Sequence, residues 1–202
     1  MISFIKTKVF CERYNLNRSK TKMSYSAEQK TIRDLFNSQL YRIPRNQRQY
    51  VWNEDNWEDL YLDVEYATNN KLNHFIDSIV LLRDKEKIAG LPQFTVIDGQ
   101  QRICTLSIFL SAIMFSMKKY LLKNDYFGTE KYLYATDDKN ELHHNIFSSS
   151  YHIGLERILS GLKDLPFNKG NQILPFVNTN VIDKKRDKCI IDAFNLREIR
   201  QL

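Results

Sequence analysis

With 202 residues, 43% hydrophobic and 27% charged, the chain has the length of one well-buried domain with an appendage, and a composition that excludes a disordered or collagen-like chain. Six Gly and four Pro in the whole sequence exclude a turn-dense sandwich or propeller and favour an α+β fold, helices with a few strands. Of the net charge of +6, five units fall within the first 22 residues, where Lys6, Lys8, Arg13, Arg18, Lys20 and Lys22 face the single acid Glu12; the nearly neutral remainder attracts DNA only where a basic cleft is built locally.

In chain order, residues 1–22 show no sustained periodicity and are expected to form a basic, flexible extension, with Met23 an alternative start. Ser26 is expected to cap a helix carrying Ile32, Leu35 and Phe36 on one face and ending near Asn37-Ser38. Tyr41-Arg42-Ile43 is extended ahead of Pro44, and a loop follows through Arg48. Asn53 caps a helix with Glu54 and Asp55 in its first turn and Trp57, Leu60, Tyr61 and Val64 on its buried face. Phe75 to Leu82 and Phe94 to Ile97 read as two buried strands in a hairpin-like pair, joined by a charged loop closing at Gly90 and Pro92. From Gln100 to about Leu122, Ile103, Leu106, Leu110, Ile113, Met114 and Met117 recur at helical spacing and define the central helix.

Residues 23–122 therefore form the expected core, and residues 123–202 a helical extension. In that extension a polar stretch reaches Ser150, and helices follow at Tyr151 to Leu162 and from Asp183 onward. Leu202 ends the last of these without a stop signal, the pattern a truncated chain would show. Cys11, Cys104 and Cys189 are odd in number and unpaired by any Cys-x-x-Cys spacing, so neither a disulfide framework nor a zinc site is expected, and a reducing cytoplasm fits. No apolar run spans a bilayer and the first residues lack the long apolar region of a signal peptide, so no membrane association is expected.

The chemistry concentrates where Val96-Ile97-Asp98-Gly99-Gln100-Gln101-Arg102 carries a strand through one glycine into a long helix. Such a turn aims free backbone N–H groups and the positive end of the helix dipole at one point, and Arg102 adds a fork of donors suited to a phosphate oxygen. Local capping competes with this reading, with Asp98 as N-cap and Gln101 completing a capping box. A helix N-terminus contributes roughly 0.3–2 kcal/mol toward an anion and one charged hydrogen bond roughly 1.5–3, which together reach only about millimolar affinity. Further donors are required, and Arg45-Asn46-Gln47-Arg48-Gln49-Tyr50 offers them, with Tyr50 and Trp52 either stacking on a base or packing in the core.

The run from Tyr41 to Trp52, then Trp57 and Leu60, then Ser78-Ile79-Val80-Leu81, then Val96 to Arg102 with Thr105-Leu106, resembles the N-terminal domain of GmrSD-type restriction endonucleases over roughly residues 25–120. The resemblance implies a ParB/sulfiredoxin-like core, a small mixed sheet packed with helices. It also implies an NTP-binding and hydrolysing domain, with Mg2+, in prokaryotic defence against modified foreign DNA. Carried over by position, the family's motifs fall on Gln47 and Arg48 and on Asp98, Gly99, Gln100, Gln101 and Arg102. This sequence departs from the pattern at Asn46, where an aromatic is usual, and at Asp77, where a glycine usually precedes the Ser-Ile-Val strand.

On that basis Gln47, Arg48, Gly99 and Gln100 are expected to bind nucleotide and Asp98, Gln101 and Arg102 to act in catalysis. Arg48 and Arg102 would converge on a triphosphate, Gln101 or Gln47 would orient water, and Asp98 would hold the turn or Mg2+. The rival reading is a non-catalytic module that senses DNA or docks a protein, and depends on a separate nuclease partner; the Asp-His-Ile signature of a nuclease domain is absent. His143-His144-Asn145 is read as an exposed polar loop. Sulfiredoxin-like chemistry is disfavoured because Cys104 falls within a buried helix.

Overall fold

A computed structural model describes residues 5–17, 20–88, 90–148 and 153–167. Among the described residues it is an α+β fold of a six-stranded mixed sheet, a two-stranded sheet and five helices. The strands are β1 (Ile5–Asn17), β2 (Lys20–Thr31), β3 (Leu40–Ile43), β4 (His74–Ile88), β5 (Leu91–Asp98), β6 (Tyr134–Thr136), β7 (Leu142–His144) and β8 (Ile146–Ser148). The helices are α1 (Ile32–Phe36), α2 (Glu54–Asn69), α3 (Gln100–Lys119), α4 (Lys123–Glu130) and α5 (Ile153–Asp164). The large sheet runs in the order β2-β1-β4-β5-β3-β8. Its β2/β1 and β4/β5 pairs are antiparallel, and its β1/β4, β5/β3 and β3/β8 pairs are parallel.

The N-terminal basic segment departs from the expected flexible extension, because Ile5–Asn17 form β1, which lies beside β4. Buried Val9 joins the main hydrophobic cluster, and the buried Thr7 hydroxyl donates to the Asp77 carbonyl at 2.5 Å. Ser26 caps no helix: it lies in β2, opposite Cys11. Thr31 and Asp34 form the capping box of α1 instead, and the hydroxyl of Thr31 holds the Asp34 carboxyl below its ordinary range. Ile32, Leu35 and Phe36 are buried as their spacing predicts.

Asn53 caps α2, and Trp57, Leu60 and Val64 face the core, with Tyr61 half-buried beside them. The β4–β5 hairpin is longer than expected, since β4 continues through the charged residues up to Ile88. Helix α3 is covered almost all round, with 15 of its 20 residues buried, as a helix inside rather than against the core must be. The stretch after Lys123, read as polar and irregular, carries α4 and three strands of three residues each, one of which, β8, completes the large sheet. Helix α5 matches the segment expected to end at Leu162 and supplies Leu155, Ile158, Leu159 and Leu162 to the same cluster as α1, α2 and α3. The helix expected from Asp183 lies outside the described residues.

Candidate functional site

The strand–glycine–helix junction forms as anticipated, but its cap is different. Gly99, at φ 90 and ψ 13, is the N-cap of α3 and makes no side-chain capping bond, while exposed Asp98 ends β5. A Cβ on Gly99 would stand 3.0 Å from Cγ1 and 3.2 Å from Cα of Ile79, so the position requires glycine for both conformation and space. Because the cap is a glycine, the backbone N–H groups at the head of α3 keep no side-chain acceptor from Asp98, and the capping-box reading of Asp98 and Gln101 is corrected.

The glutamines of the two motifs tie that junction to the loop before α2. Gln47 Nε2 donates to the Ile97 carbonyl at 2.9 Å, and Gln100 Nε2 donates to the Arg48 carbonyl. Gln101 Oε1 accepts from the Val51 amide at 2.9 Å while its Nε2 donates to the Gln49 carbonyl at 3.0 Å. Gln100 and Gln101 are buried, and an unbonded backbone group in such a place costs about 1–3 kcal/mol. Both ends of the Gln101 amide are thus engaged, which gives it a positioning part. Gln100 Oε1 remains buried with no partner.

Tyr50 is a core residue and offers no stacking face: its hydroxyl accepts from Trp57 Nε1 at 2.9 Å and lies 2.6 Å from Thr105 Oγ1. Trp52 is half-buried and lines a cavity of about 270 Å³ between α2, β4 and α3, together with Asp59, Asp63, His74, Asp77 and Arg102. The structure brings Arg102 to this cavity and leaves Arg48 out of its lining, on the exposed loop at the head of α3. Among the described residues neither Arg45 nor Arg48 forms an ion pair.

Arg102 is held by β4. Its Nη1 donates to the Ser78 carbonyl at 2.9 Å and its Nη2 pairs with Asp77 Oδ2. Asp77 occupies a bulge: β1 steps two residues from Lys6 to Lys8 while β4 steps three from Phe75 to Ser78, and the buried positions shift from Ile76 to Ile79. The extra residue takes the left-handed conformation at φ 68, which glycine adopts freely. Holding an aspartate there costs roughly 1 kcal/mol. The ion pair, with Asp77 63% exposed, returns at most about 1 kcal/mol. Its contribution to stability is close to nil.

Sequence reading missed this pairing: Asp77 stands out there only as a departure from glycine, and the bulge that turns it toward Arg102, 25 residues on, leaves no local signal. It also misplaced His143-His144-Asn145, which is no exposed loop. His143 bonds Asp137 at 2.8 Å, His144 packs edge-on against Tyr134, and Asn145 is 1% exposed with its Nδ2 donating to the Phe36 carbonyl at 2.6 Å. Asp137, Glu141 and His143 bring ligand-type atoms within 4.8 Å of one another, but Asp137 already accepts from the Lys139 and Glu141 amides and locks the β6–β7 turn. Cys104 is fully buried, which pushes its thiol up to about 12 and leaves it unreactive.

The class defined here is an α+β domain whose central sheet delivers one strand, through an obligatory glycine, into a buried helix bearing an arginine at a cavity. The chain belongs to the GmrSD restriction endonuclease N-terminal domain family, whose pattern matches residues 32–198. That family is the front domain of a restriction endonuclease, consistent with a role in defence. The match runs well past residue 120, in keeping with β8 and α5 being parts of the same sheet and core. No curated protein matches the chain. No described helix is long and apolar enough to cross a membrane.

Proposed function

We propose that the chain is a nucleoside-triphosphate-binding domain, and an NTPase, of a modification-dependent restriction system, with a ParB/sulfiredoxin-like core. The observation that carries this reading is Arg102, placed in the first turn of α3 and lining the cavity beside Trp52. At about 270 Å³ the cavity lies just under the range of roughly 300–1,000 Å³ common for small ligands. It holds a phosphate group or a base, and the remainder of a nucleotide extends over the exposed loop bearing Arg45 and Arg48.

In this reading Arg102 neutralises a phosphate, with Arg48 supplying charge from the loop. The amides of Gln47, Gln100 and Gln101 keep that loop at the helix head. Gly99 leaves the helix N–H groups without a side-chain cap, and exposed Asp98 ends the strand before them. The oxygen donors Asp59, Asp63 and Asn56 on the cavity wall suit Mg2+, which takes one or two carboxylates and completes its shell from water and phosphate. When bound, that ion would offset phosphate charge. Positioning and charge neutralisation account for most of phosphoryl-transfer catalysis, so no covalent nucleophile is required.

A non-catalytic module gripping a DNA phosphate is the second reading, supported by the exposed arginine pair Arg45 and Arg48. The carboxylates around Arg102 speak against a DNA strand entering the cavity. Calorimetry against the four ribonucleoside triphosphates with magnesium, followed by turnover, separates the two. Binding that is lost in Arg102→Ala supports the nucleotide site. Flat heats accompanied by salt-steep DNA binding would replace it with the DNA module.

A further inference from the structure

Asp77 spends a strained backbone on a solvent-exposed ion pair that adds little stability, and the partner it holds is the one arginine in the cavity lining. Its Oδ2 occupies Arg102 Nη2, and its Oδ1 accepts from the Ser78 amide at 2.6 Å, so the carboxylate is fixed in one orientation. Thr7 anchors the Asp77 carbonyl from β1, which holds the bulge in place from the other side. A carboxylate on a guanidinium is the same chemistry as a phosphate oxygen there: with Nη1 given to Ser78 and Nη2 to Asp77, both terminal nitrogens are engaged and the charge is already countered, so an anion gains full strength at Arg102 only when Asp77 lets go. We infer that Asp77 is a built-in competitor for the anion at Arg102, an autoinhibitory latch that an incoming phosphate must displace.

The inference rests on the nucleotide-phosphate reading of the cavity. It also predicts selectivity. A singly charged anion gains too little to displace the carboxylate, whereas a polyphosphate carrying a divalent cation brings several oxygens to Arg102 and a counter-charge to the released Asp77. With Asp59 and Asp63 on the same wall, releasing Asp77 without a cation would crowd three carboxylates around the anion.

The test is calorimetry of the whole chain with magnesium tripolyphosphate, comparing the wild type with Asp77→Asn, Asp77→Gly and Arg102→Ala. Asp77→Asn keeps the side-chain shape and drops the charge. Asp77→Gly takes the left-handed bulge without strain, and so remains folded. Both are expected to tighten Kd by about tenfold, and Arg102→Ala to abolish binding. If the wild type binds through Arg102 and both Asp77 variants bind with unchanged Kd, the latch is overturned and the nucleotide reading stands. Flat heats in every variant, for tripolyphosphate and for the four ribonucleoside triphosphates, would overturn both.

Discussion

Gln101 and Val51, 50 residues apart in the chain, are joined by a hydrogen bond of 2.9 Å from the Val51 amide to Gln101 Oε1. The same side chain donates to Gln49, so one buried amide fixes the loop that carries Arg48 against the head of α3. Gln101→Ala leaves a backbone donor and a backbone acceptor unmet, and about 2–4 kcal/mol of stability should be lost. Urea denaturation measures it, and limited proteolysis should cut first between residues 45 and 52. A loss below about 0.5 kcal/mol would contradict the clamp.

Gly99→Ala meets two obstacles at once. The left-handed backbone costs an alanine roughly 1 kcal/mol, and the new methyl presses on Ile79, which is fully buried in the core cluster. We expect about 2–3 kcal/mol of destabilisation in total and weaker anion binding as the first turn of α3 shifts. An unchanged melting temperature would mean that the junction adapts freely.

Lys118 is 3% exposed and donates to the carbonyls of Leu162 at 2.7 Å, Lys163 at 3.0 Å and Leu165 at 2.5 Å. It closes the C-terminal end of α5, where a cation also meets the negative end of the helix dipole. Lys118→Met keeps the apolar stem and removes the three donors. About 2–4 kcal/mol should be lost, with hydrogen exchange rising first in α5. Uniform exchange across the molecule would argue against a local tether.

Two of the shifted groups, His144 and Asp137, set separate windows in the dependence of stability on pH. Burial, helped by Lys163 and His143, lowers the His144 value below 6.5, so the unfolded chain binds a proton that the folded chain resists. Stability is therefore unpenalised above pH 6.5 and falls as pH drops below it. The hydrogen bond from His143, with the Glu141 and Lys139 amides, lowers the Asp137 value below 3.8, so its contribution is present above pH 3.8 and is lost as pH falls through the depressed value. Replacing His144 by Gln should flatten the upper window alone, measured as the urea midpoint against pH.

The chain has two tryptophans, of which Trp57 is buried and Trp52 borders the cavity. A base entering beside Trp52 should quench its fluorescence, and the quench should survive Trp57→Phe and vanish in Trp52→Phe. Tight nucleotide binding without any quench would place the base elsewhere.

What could be read from residues alone divides by how locally each feature is encoded. Helix α2 announces itself through Asn53 and the spacing of Trp57, Leu60 and Val64, and α3 through about four turns of apolar spacing from Ile103 to Met117. Strands β1 and β2 do not, because the alternation of Lys6 and Lys8 with Thr7 and Val9 is too short to stand out in a polar, basic segment, and the strand that docks this hairpin on the sheet, β4, lies some 70 residues away. Strands of three residues, β6 to β8, are shorter than any period can register. In the candidate site, Gly99 and Arg102 were legible from the strand-to-helix switch. The Arg102–Asp77 pair was not, since it depends on a bulge that flips one residue of β4 toward the cavity.

Asn145 reaches across 109 residues to the Phe36 carbonyl, and β8, directly after it, lies along β3. During synthesis the ribosome therefore releases β3 long before the strand that covers its flank, and the sheet waits open at that margin. A pairing between segments so far apart in sequence closes slowly, and an exposed strand margin invites other chains in the meantime. Quality control in the cell would meet that bare margin of β3 in the interval before β8 has emerged.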